Sequence, residues 1–315
     1  MSRRDEQEVV VVGVDDSTAG DAVDWAAAEA ATRGAQLRIV HAFRPPLPAD
    51  PYGFVAQVDD FLPVRAASEL LVRDAVARAR SVASDIAVST RLTRGSPVRG
   101  LLGEAQGARL LVVGSHGRSG LRGLLAGSVS VHVATHAACP VVVIRPTDGT
   151  CDTGSAPRSV ARVVVGVDRT PSCVPAIGFA FRAAWQRGIP LVAVHAWTPD
   201  PPADFEGVSA RPSVAENSAR RAVEKALARW REEYPAVPVA TRLVCGDPIQ
   251  TLIGESRGAA LLVVGSRGRG HILGTVLRSV SQTVLNHARC PIAVVHHGCA
   301  AEAQPPTKAH HGIGS

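Results

Sequence analysis

Short apolar runs alternate along the chain with longer segments in which apolar residues recur at helical spacing. The first run, Val9–Val14, is uninterrupted, which is typical of a strand covered on both faces of a parallel sheet. Ala22–Arg33 follows with helical spacing, and Gly34 is placed to end that helix. Further strands are predicted at Leu37–His41, Ile86–Arg91, Leu110–Val113 and Val141–Ile144, and further helices at Arg65–Ser84, from Ser96-Pro97 onward, and at Val129–His136.

The alternation of strands and helices predicts a series of βαβ units, and therefore a parallel sheet with helices on both faces. One long interruption, Phe43–Val64, is rich in proline and lacks periodicity, so we expect a loop over the carboxyl edge of the sheet. Loops of this length within a compact domain are usually functional or mobile.

The whole pattern then occurs a second time. Ala260–Ser281 repeats the order of residue types in Arg109–Ser130, and Trp197–Ala215 is a second long, proline-rich loop. Internal repetition of this kind indicates two copies of one structural unit. The other matching segments are Val163–Val167 with Val9–Val14, Leu191–His195 with Leu37–His41, and Gly246-Asp247-Pro248 with Gly95-Ser96-Pro97.

We therefore predict an α/β fold with two repeats, each a doubly wound, five-stranded parallel sheet. A chain of 315 residues is long enough for two domains with cores of their own. The predicted boundaries are 1–147 for the first repeat, 148–159 for a polar linker, 160–298 for the second repeat and 299–315 for a disordered tail.

Composition narrows the classes of partner. The 34 basic and 28 acidic residues give a net charge of +6, which permits an anionic ligand, but the basic residues are scattered rather than clustered. Aromatic residues, at 4%, are too few for a base-stacking surface, so a nucleic-acid partner is not expected. The first residues carry no apolar signal region, and no segment reaches ~18 uninterrupted apolar residues, which predicts a cytoplasmic protein without a membrane segment.

The cysteines form no CxxC pair and show no metal-like spacing. Cys139-Pro140 and Cys290-Pro291 occupy equivalent positions directly before a strand. We expect core thiols in a reducing cytosol rather than redox or metal chemistry. The six are Cys139, Cys151, Cys173, Cys245, Cys290 and Cys299.

The predicted fourth strand of the first repeat ends in a run of glycines. Backbone without Cβ atoms can approach a ligand closely and can turn successive N–H groups toward an anion. The helix predicted to follow adds its unpaired N–H groups and the positive end of its dipole. This arrangement favours phosphate binding by the main chain. The glycines are Gly114, Gly117, Gly120, Gly123 and Gly127.

Two common nucleotide-binding motifs are absent from the chain. VGVDDS follows the first strand where a dinucleotide-binding fold has GxGxxG, and no GxxxxGK[ST] occurs. Ligands of open parallel sheets bind outside the carboxyl ends of the strands, where the strand order reverses. Asp15 and the Gly114 segment both follow strands at that edge.

In the first repeat the spacing is Gly114, two residues, Gly117, nine residues, and Gly127-Ser128. Together with VGVDDS at the first strand and Cys139-Pro140 before the last, this pattern resembles the ATP-binding branch of the universal stress protein family. Because the second half repeats the pattern, the resemblance covers nearly the whole chain. The two joined halves look like the tandem universal stress proteins of actinobacteria. The resemblance implies an adenine-nucleotide alpha-hydrolase-like fold and ATP as the ligand, with Mg²⁺ as a candidate companion.

The resemblance also implies where the nucleotide lies. Adenine would rest near Asp15 and the backbone of Ala42, and the triphosphate would lie along Gly114–Gly120 and the following helix start. A helix cap is the alternative role for Asp15, and the two roles can coexist. His116 and Arg118 either donate to phosphate oxygens or point to water. The candidate residues are Gly13, Asp15, Ala42, Gly114, Ser115, His116, Gly117, Arg118, Ser119, Gly120, Gly127, Ser128, Val129 and Ser130 in the first repeat, and Gly166, Asp168, Ala196, Gly265, Ser266, Arg267, Gly268, Arg269, Gly270, Arg278, Ser279, Val280 and Ser281 in the second.

The second repeat departs from the pattern at one position. Gly265 and Gly268 keep the spacing, but Arg278 stands where the first repeat has Gly127. If the backbone there needs a positive φ, a non-glycine residue costs about 1 kcal/mol in strain. The arginine side chain could also occupy the phosphate space or bind a phosphate itself. We therefore expect the two repeats to bind ATP unequally.

The sequence suggests no catalytic set. His41 and His195 occupy equivalent strand ends and are expected to be structural, and no nucleophile with an orienting base and no carboxylate cluster for a metal is evident. The leading hypothesis is an ATP-binding, stress-response regulatory protein whose nucleotide occupancy alters a surface seen by a protein partner. The alternatives are an enzyme with genuine ATP hydrolysis or nucleotidyl transfer, and a structural stress protein whose glycine-rich segments bind nothing.

The strands Val141–Ile144 and Ile292–Val295 are predicted to end the two sheets. Exposed edges of such apolar strands need covering. The resemblance implies that these edges pair between repeats or between chains, and we expect a homodimer.

Overall fold

A computed structural model describes residues 8–15, 19–43, 62–115, 126–145, 161–197, 214–266 and 279–298. The strands in these ranges are β1 Val9–Val14, β2 Gln36–Phe43, β3 Val88–Arg94, β4 Leu110–Gly114, β5 Val141–Ile144, β6 Arg162–Gly166, β7 Leu191–Trp197, β8 Val239–Cys245, β9 Ala259–Gly265 and β10 Ile292–Val295. The α-helices are α1 Ala19–Arg33, α2 Leu62–Val82, α3 Pro97–Ala105, α4 Ser128–His136, α5 Val174–Arg187, α6 Val214–Glu233, α7 Pro248–Glu255 and α8 Ser279–His287.

The strands form one sheet in the order β3-β2-β1-β4-β5-β10-β9-β6-β7-β8. Within each repeat all pairings are parallel, and the chain passes outward from the first strand, then returns to the other side of it. The α/β fold with two five-stranded parallel repeats is therefore confirmed. The strand order reverses between β1 and β4 in the first repeat, and between β6 and β9 in the second.

The two repeats join through their last strands, β5 and β10, which pair antiparallel. Val142 lies opposite Ala293, and these are equivalent positions of the two repeats. The join therefore has an approximate twofold axis at its centre. Of the two expected pairings, between repeats or between chains, the structure shows the pairing between repeats, and the two five-stranded sheets form one ten-stranded sheet.

Alternate residues of each central strand face opposite layers of helices. Val10 and Val12 lie in the core beneath α1, α2, α5 and α6, whereas Val11 lies in the core beneath α3, α4, α7 and α8. Val141, Val142 and Val143 of β5 are all fully buried. This two-sided burial explains why the strands appear in the sequence as uninterrupted apolar runs.

Several element bounds differ from the prediction because a neighbouring element decides them. β2 and β7 continue past His41 and His195 because Phe43 pairs with Arg94 and Trp197 pairs with Cys245 on the adjacent strand. Helices α2 and α6 begin at Leu62 and Val214, inside the ends of the predicted loops, and residues 44–61 and 198–213 of those loops lie outside the described residues. Smaller shifts affect α1, which begins at Ala19, and β3, which spans Val88–Arg94.

The buried thiols Cys139, Cys173 and Cys290 agree with the expectation of core cysteines. Cys245 is exposed, so the expectation is wrong there, because it is the last residue of the outermost strand β8. In the part of the chain that the structure describes, no helix is both long enough and apolar enough to span a bilayer.

Candidate functional site

Asp15 and Ser115 follow two strands that lie side by side where the strand order reverses. The pairing of β1 with β4 runs from Val10 opposite Leu110 to Gly13 opposite Val113, so the two strands end at the same level of the sheet. Asp168 and Ser266 follow β6 and β9 in the same way in the second repeat. The structure thus brings each predicted aspartate beside the start of its glycine-rich segment.

Ala42 lies on β2, the other neighbour of β1. His41 pairs with Val14, and the half-buried Ala42 is one residue further along, level with Asp15. Ala196 on β7 is likewise half-buried and lies beside the end of β6. The residues expected around adenine are therefore at adjacent strand ends in both repeats.

A buried histidine holds each strand end directly before the aspartate. Nδ1 of His41 lies 2.9 Å from the carbonyl oxygen of Val14, and Nδ1 of His195 lies 2.7 Å from that of Val167. A carbonyl oxygen can only accept, so Nδ1 carries the proton in both histidines. The contacts agree with the structural role expected for the two histidines, which hold the carbonyl groups of Val14 and Val167 at the strand ends.

The carboxylate of Asp168 caps the turn that follows it. Its Oδ1 accepts from the N–H of Thr170 at 2.9 Å and from the hydroxyl of Thr170 at 2.6 Å. A short 3-10 turn, Pro171–Cys173, begins immediately afterwards. The cap role that the sequence left open for Asp15 is thus present at the equivalent Asp168, and the part taken by Thr170 was missed.

Gly13 and Gly166 each lie against a leucine of a neighbouring helix. A Cβ on Gly13 would lie 2.9 Å from Cδ2 of Leu101 on α3, and a Cβ on Gly166 would lie 3.2 Å from Cδ1 of Leu252 on α7. Contacts this short force a neighbour to move. The missing side chains of these two candidates therefore let α3 and α7 pack closely on the strands.

Backbone hydrogen bonds close the base of the glycine-rich segment in the first repeat. The N–H of Ser115 donates to the carbonyl of Ile144 at 2.7 Å, and the N–H of Gly127 donates to the carbonyl of Ser115 at 2.6 Å. The N–H of Gly127 is therefore occupied by the fold itself. In the second repeat the N–H of Ser266 makes the matching bond to Val295, at 2.9 Å.

The third residue of α4 and of α8 is a serine that faces the sheet. The hydroxyl of Ser130 donates to the carbonyl of Gly114 at 2.6 Å, and that of Ser281 donates to the carbonyl of Gly265 at 2.7 Å. Both serines are buried. Their side chains tie the helix to the end of the strand, so the expected phosphate contact at these two residues falls to the backbone N–H groups.

Helix α4 presents its first N–H groups at the same edge. The first helical bond runs from the N–H of Val131 to the carbonyl of Gly127 at 3.1 Å, which leaves the N–H groups of Ser128, Val129 and Ser130 without an acceptor inside the helix. Ser128 is exposed and Val129 half-buried. A helix start of this kind attracts anions through both its N–H groups and its dipole.

Gly127 has φ −60° and ψ 154°, an extended conformation open to any residue. The premise that this position needs a positive φ is therefore wrong, and the expected strain at Arg278 loses its basis. Arg278 itself lies outside the described residues. So do the other loop candidates, His116, Gly117, Arg118, Ser119, Gly120, Arg267, Gly268, Arg269 and Gly270.

Two side chains, Asn286 and Arg145, join α8 of the second repeat to the first repeat, and neither is among the residues predicted from the sequence. The side-chain oxygen of Asn286 lies 3.3 Å from the N–H of Ala126, and Arg145 donates to the carbonyl of Leu285 at 3.0 Å. Both contacts join residues far apart in the chain, so no local pattern indicates them. Among the described residues, no group of three or more His, Cys, Asp or Glu is arranged to hold a metal ion.

Comparison with known proteins gives one consistent result. The sequence model of the Universal stress protein family matches residues 7–145 and again residues 160–296. A universal stress protein of Mycobacterium tuberculosis is 38% identical over 303 residues, which cover 93% of this chain and 99% of the relative. One from Mycolicibacterium smegmatis is 33% identical over 91% of this chain and 96% of its own. The crystal structure of a universal stress protein from Archaeoglobus fulgidus shares the fold, with a TM-score of 0.65 and 18% identity over 91% of this chain and 96% of that one.

Proposed function

The chain belongs to the universal stress protein family, with two family domains in tandem, and from this premise we propose that it binds ATP at the carboxyl edge of each repeat as a stress-response regulatory protein. One observation carries the proposal. In the first repeat the strand-order reversal places Asp15, half-buried Ala42 and the start of α4 along one edge of the sheet. Sheets of this kind bind their ligands at that edge.

The described residues fit an adenine nucleotide in their chemistry. Asp15 offers a carboxylate that can accept from the amino group of adenine, and Ala42 offers backbone beside it. The N–H groups of Ser128 and Val129 at the start of α4 suit a phosphate. ATP supplies the charge that this edge attracts, while the chain binds and orients it.

The second repeat carries the same elements in the same order. Asp168, Ala196 and the start of α8 occupy the matching positions. The two repeats differ in their affinity for ATP because Arg278 adds a cationic side chain where the first repeat has Gly127. Backbone strain is not part of this difference. Mg²⁺ would enter with the nucleotide, held by the phosphates.

Nucleotide binding is tested first on the purified full-length chain. We expect mass spectrometry of the denatured protein to find copurified adenine nucleotide, and calorimetry to show ATP binding. Asp15→Ala should weaken the first site, whereas Asp85→Ala, an exposed aspartate beside Ser84, serves as the matched control. Equal ATP affinity in the parent and in a chain with both Asp15→Ala and Asp168→Ala would sink the assignment.

Steady-state phosphate release separates a regulatory protein from an enzyme. We expect occupied sites with turnover far slower than the usual ~10 per second of enzymes. Sustained turnover at that rate, lost in the Asp15→Ala variant, would favour the alternative of genuine ATP hydrolysis or nucleotidyl transfer. A chain that neither contains nor binds nucleotide would favour the purely structural alternative.

A homodimer, a cytoplasmic location and a protein partner that responds to nucleotide occupancy remain proposals. The edges β5 and β10 pair within one chain, so they are not the surface through which two chains would meet. Among the strands that the structure describes, β3 and β8 lie at the outer edges of the sheet. Light scattering should give twice the chain mass of 32.8 kDa at micromolar concentration, and a monomer mass would exclude the dimer.

A further inference from the structure

The first site receives a contact from the opposite repeat. Oδ1 of Asn286, near the carboxyl end of α8, lies 3.3 Å from the N–H of Ala126, and the pair is partly shielded from solvent. Ala126 immediately precedes Gly127, the N-cap of α4. The contact therefore acts at the entry to the helix whose first N–H groups face the proposed phosphate position.

Two consecutive N–H groups at this entry are held by different repeats. The N–H of Gly127 donates to Ser115 of its own repeat at 2.6 Å, and the N–H of Ala126 donates to Asn286 of the other. Fixing two successive peptide units determines the direction in which the chain enters α4. The orientation of the N–H groups of Ser128 and Val129 follows from that direction.

The first repeat in turn holds Asn286 in place. Arg145, the residue directly after β5, donates to the carbonyl of Leu285 at 3.0 Å and also to the carbonyl of Asn286. A cation at the last carbonyls of a helix is favourable, because those groups carry the negative end of the dipole. The carboxyl end of α8 is thus docked on the first repeat beside the entry to α4.

The residue of the first repeat that is equivalent to Asn286 makes its side-chain hydrogen bond within its own helix. Thr135 occupies the position of Asn286 on α4, and its hydroxyl donates to the carbonyl of Val131 in its own helix at 2.7 Å. His296 stands where the first repeat has Arg145. The residues of this contact therefore differ between the two halves of the chain.

We propose that Asn286 is a positioning residue for the first nucleotide site, so that the second repeat helps to set the affinity of the first. The inference rests on the proposed function for its ligand, and on the Asn286 and Arg145 contacts for its geometry. It predicts that the first site is complete only in the tandem chain.

The test compares three variants of the full-length chain. Asn286→Ala removes the acceptor, Asn286→Asp keeps an oxygen acceptor at the same reach, and Thr135→Ala is the matched control on α4. Each is made in the parent and in a chain whose second site is weakened by Asp168→Ala. ATP titration then reports the first site, and hydrogen exchange of peptides spanning Ala126–Val131 is measured without nucleotide.

We expect Asn286→Ala to weaken ATP binding at the first site by about threefold to tenfold, the size of one neutral hydrogen bond. Hydrogen exchange at Ala126 should accelerate in this variant, and Asn286→Asp should restore both measurements while Thr135→Ala changes neither. Rescue by Asp distinguishes a lost acceptor from general destabilisation.

Unchanged exchange and unchanged affinity in Asn286→Ala would overturn the inference, as would an equal loss in Thr135→Ala. If the parent binds no ATP at all, the proposed function fails and the affinity part of the inference fails with it, and exchange decides only whether Asn286 fixes the entry to α4. Faster exchange at Ala126 in Asn286→Ala would then support it, and unaltered exchange would refute it.

Discussion

At the scale of single residues, the atoms beside Gly178, Gly13 and Gly166 explain why these positions are glycines. A Cβ on Gly178 of α5 would lie 2.4 Å from Cη2 of Trp230 on α6, and Trp230 is almost fully buried. Gly13 and Gly166 meet Leu101 and Leu252 at longer but still close distances. The missing side chain is what allows a helix to pack closely in each case.

Gly178→Ala should destabilise the fold by about 1 to 3 kcal/mol, because the buried Trp230 ring must move to admit a methyl group. Urea denaturation measures the change in the free energy of unfolding. Gly103→Ala on α3 is the matched control, since its Cβ would meet nothing within 4 Å. The control should be neutral or slightly stabilising from helix propensity. A Gly178→Ala variant as stable as this control would contradict the close packing.

Two buried thiols, Cys173 and Cys290, are harder to ionise in the folded protein than in the unfolded chain. Burial raises the pKa of Cys173 to about 12, with the charge of Asp168 adding to the effect, and burial raises the pKa of Cys290 to about 12 as well. In the unfolded chain a cysteine ionises near ~8.5. The folded state therefore binds these protons more tightly than the unfolded state does.

Stability should fall as the pH rises above about 8.5, because the unfolded state alone releases the two protons between there and pH 12. Below about pH 8.5 both thiols are protonated in the folded and the unfolded state, and their contribution to the free energy of unfolding is fully present. Each thiol contributes a slope of about 1.4 kcal/mol per pH unit. Urea denaturation from pH 7 to 10.5 should show a shallower decline in a Cys173→Ala, Cys290→Ala double variant than in the parent. Parallel declines would mean that other groups control the alkaline limit.

At the scale of elements, the same pair of helices is joined differently in the two repeats. Arg78 of α2 makes two hydrogen bonds to the carboxylate of Asp24 on α1, at 2.6 and 2.7 Å, in a largely exposed position. In the second repeat α5 and α6 meet instead at a buried contact between Gly178 and Trp230. Phe181 and Tyr234 extend that aromatic cluster.

The two helix pairs should therefore differ in their sensitivity to substitution and salt. Trp230→Ala should cost about 3 to 5 kcal/mol, since it removes a large ring from the core. Arg78→Ala should change stability little, and what effect it has should fade in high salt because exposed ion pairs are screened. Denaturation at low and high sodium chloride concentration checks both expectations. A salt-insensitive, strongly destabilising Arg78→Ala would contradict this assignment.

At the scale of the whole molecule, a buried charge cluster joins the repeats on the face that carries α1 and α5. Glu29, 3% exposed, accepts from Nε of Arg33 at 2.7 Å and from Arg187 of the other repeat. Each arginine also stacks on an aromatic ring of the opposite repeat: Arg33 lies 5.6 Å from the ring centre of Phe179, and Arg187 lies 5.6 Å from that of Trp25. Each repeat thus supplies one arginine and one aromatic ring to these contacts, whereas the single carboxylate of Glu29 accepts from both arginines.

Glu29→Ala should destabilise the chain by about 3 to 5 kcal/mol, because it leaves two guanidinium groups at the interface without their shared carboxylate. Chemical denaturation gives the loss, and Glu69→Ala in the exposed pair with Arg65 is the control, with little expected effect. Separate unfolding of the two repeats in Glu29→Ala, against one transition in the parent, would show that the cluster joins them. A loss no larger than that of the control would argue against this role.

Much of this architecture can be predicted from the sequence by itself. β1 and β5 lie at the predicted residues because a strand covered on both faces must be apolar at every position, and that requirement is visible locally. The repeat is visible for the same reason, as each half must build the same layers. The order of strands and helices then determines the edge at which Asp15 and Ser115 meet.

Other features depend on residues that are distant in the chain, and only the tertiary structure decides them. Phe43 is in a strand because Arg94 pairs with it, and Gly13 is a glycine because Leu101 lies against it. Gly127 is extended, which its residue type does not reveal, since glycine can adopt either sign of φ. The contacts of Asn286 with Ala126 and of Arg187 with Glu29 join the two repeats. Hydrogen bonds and packing between repeats require only proximity in space, and such proximity leaves no periodic pattern in the sequence.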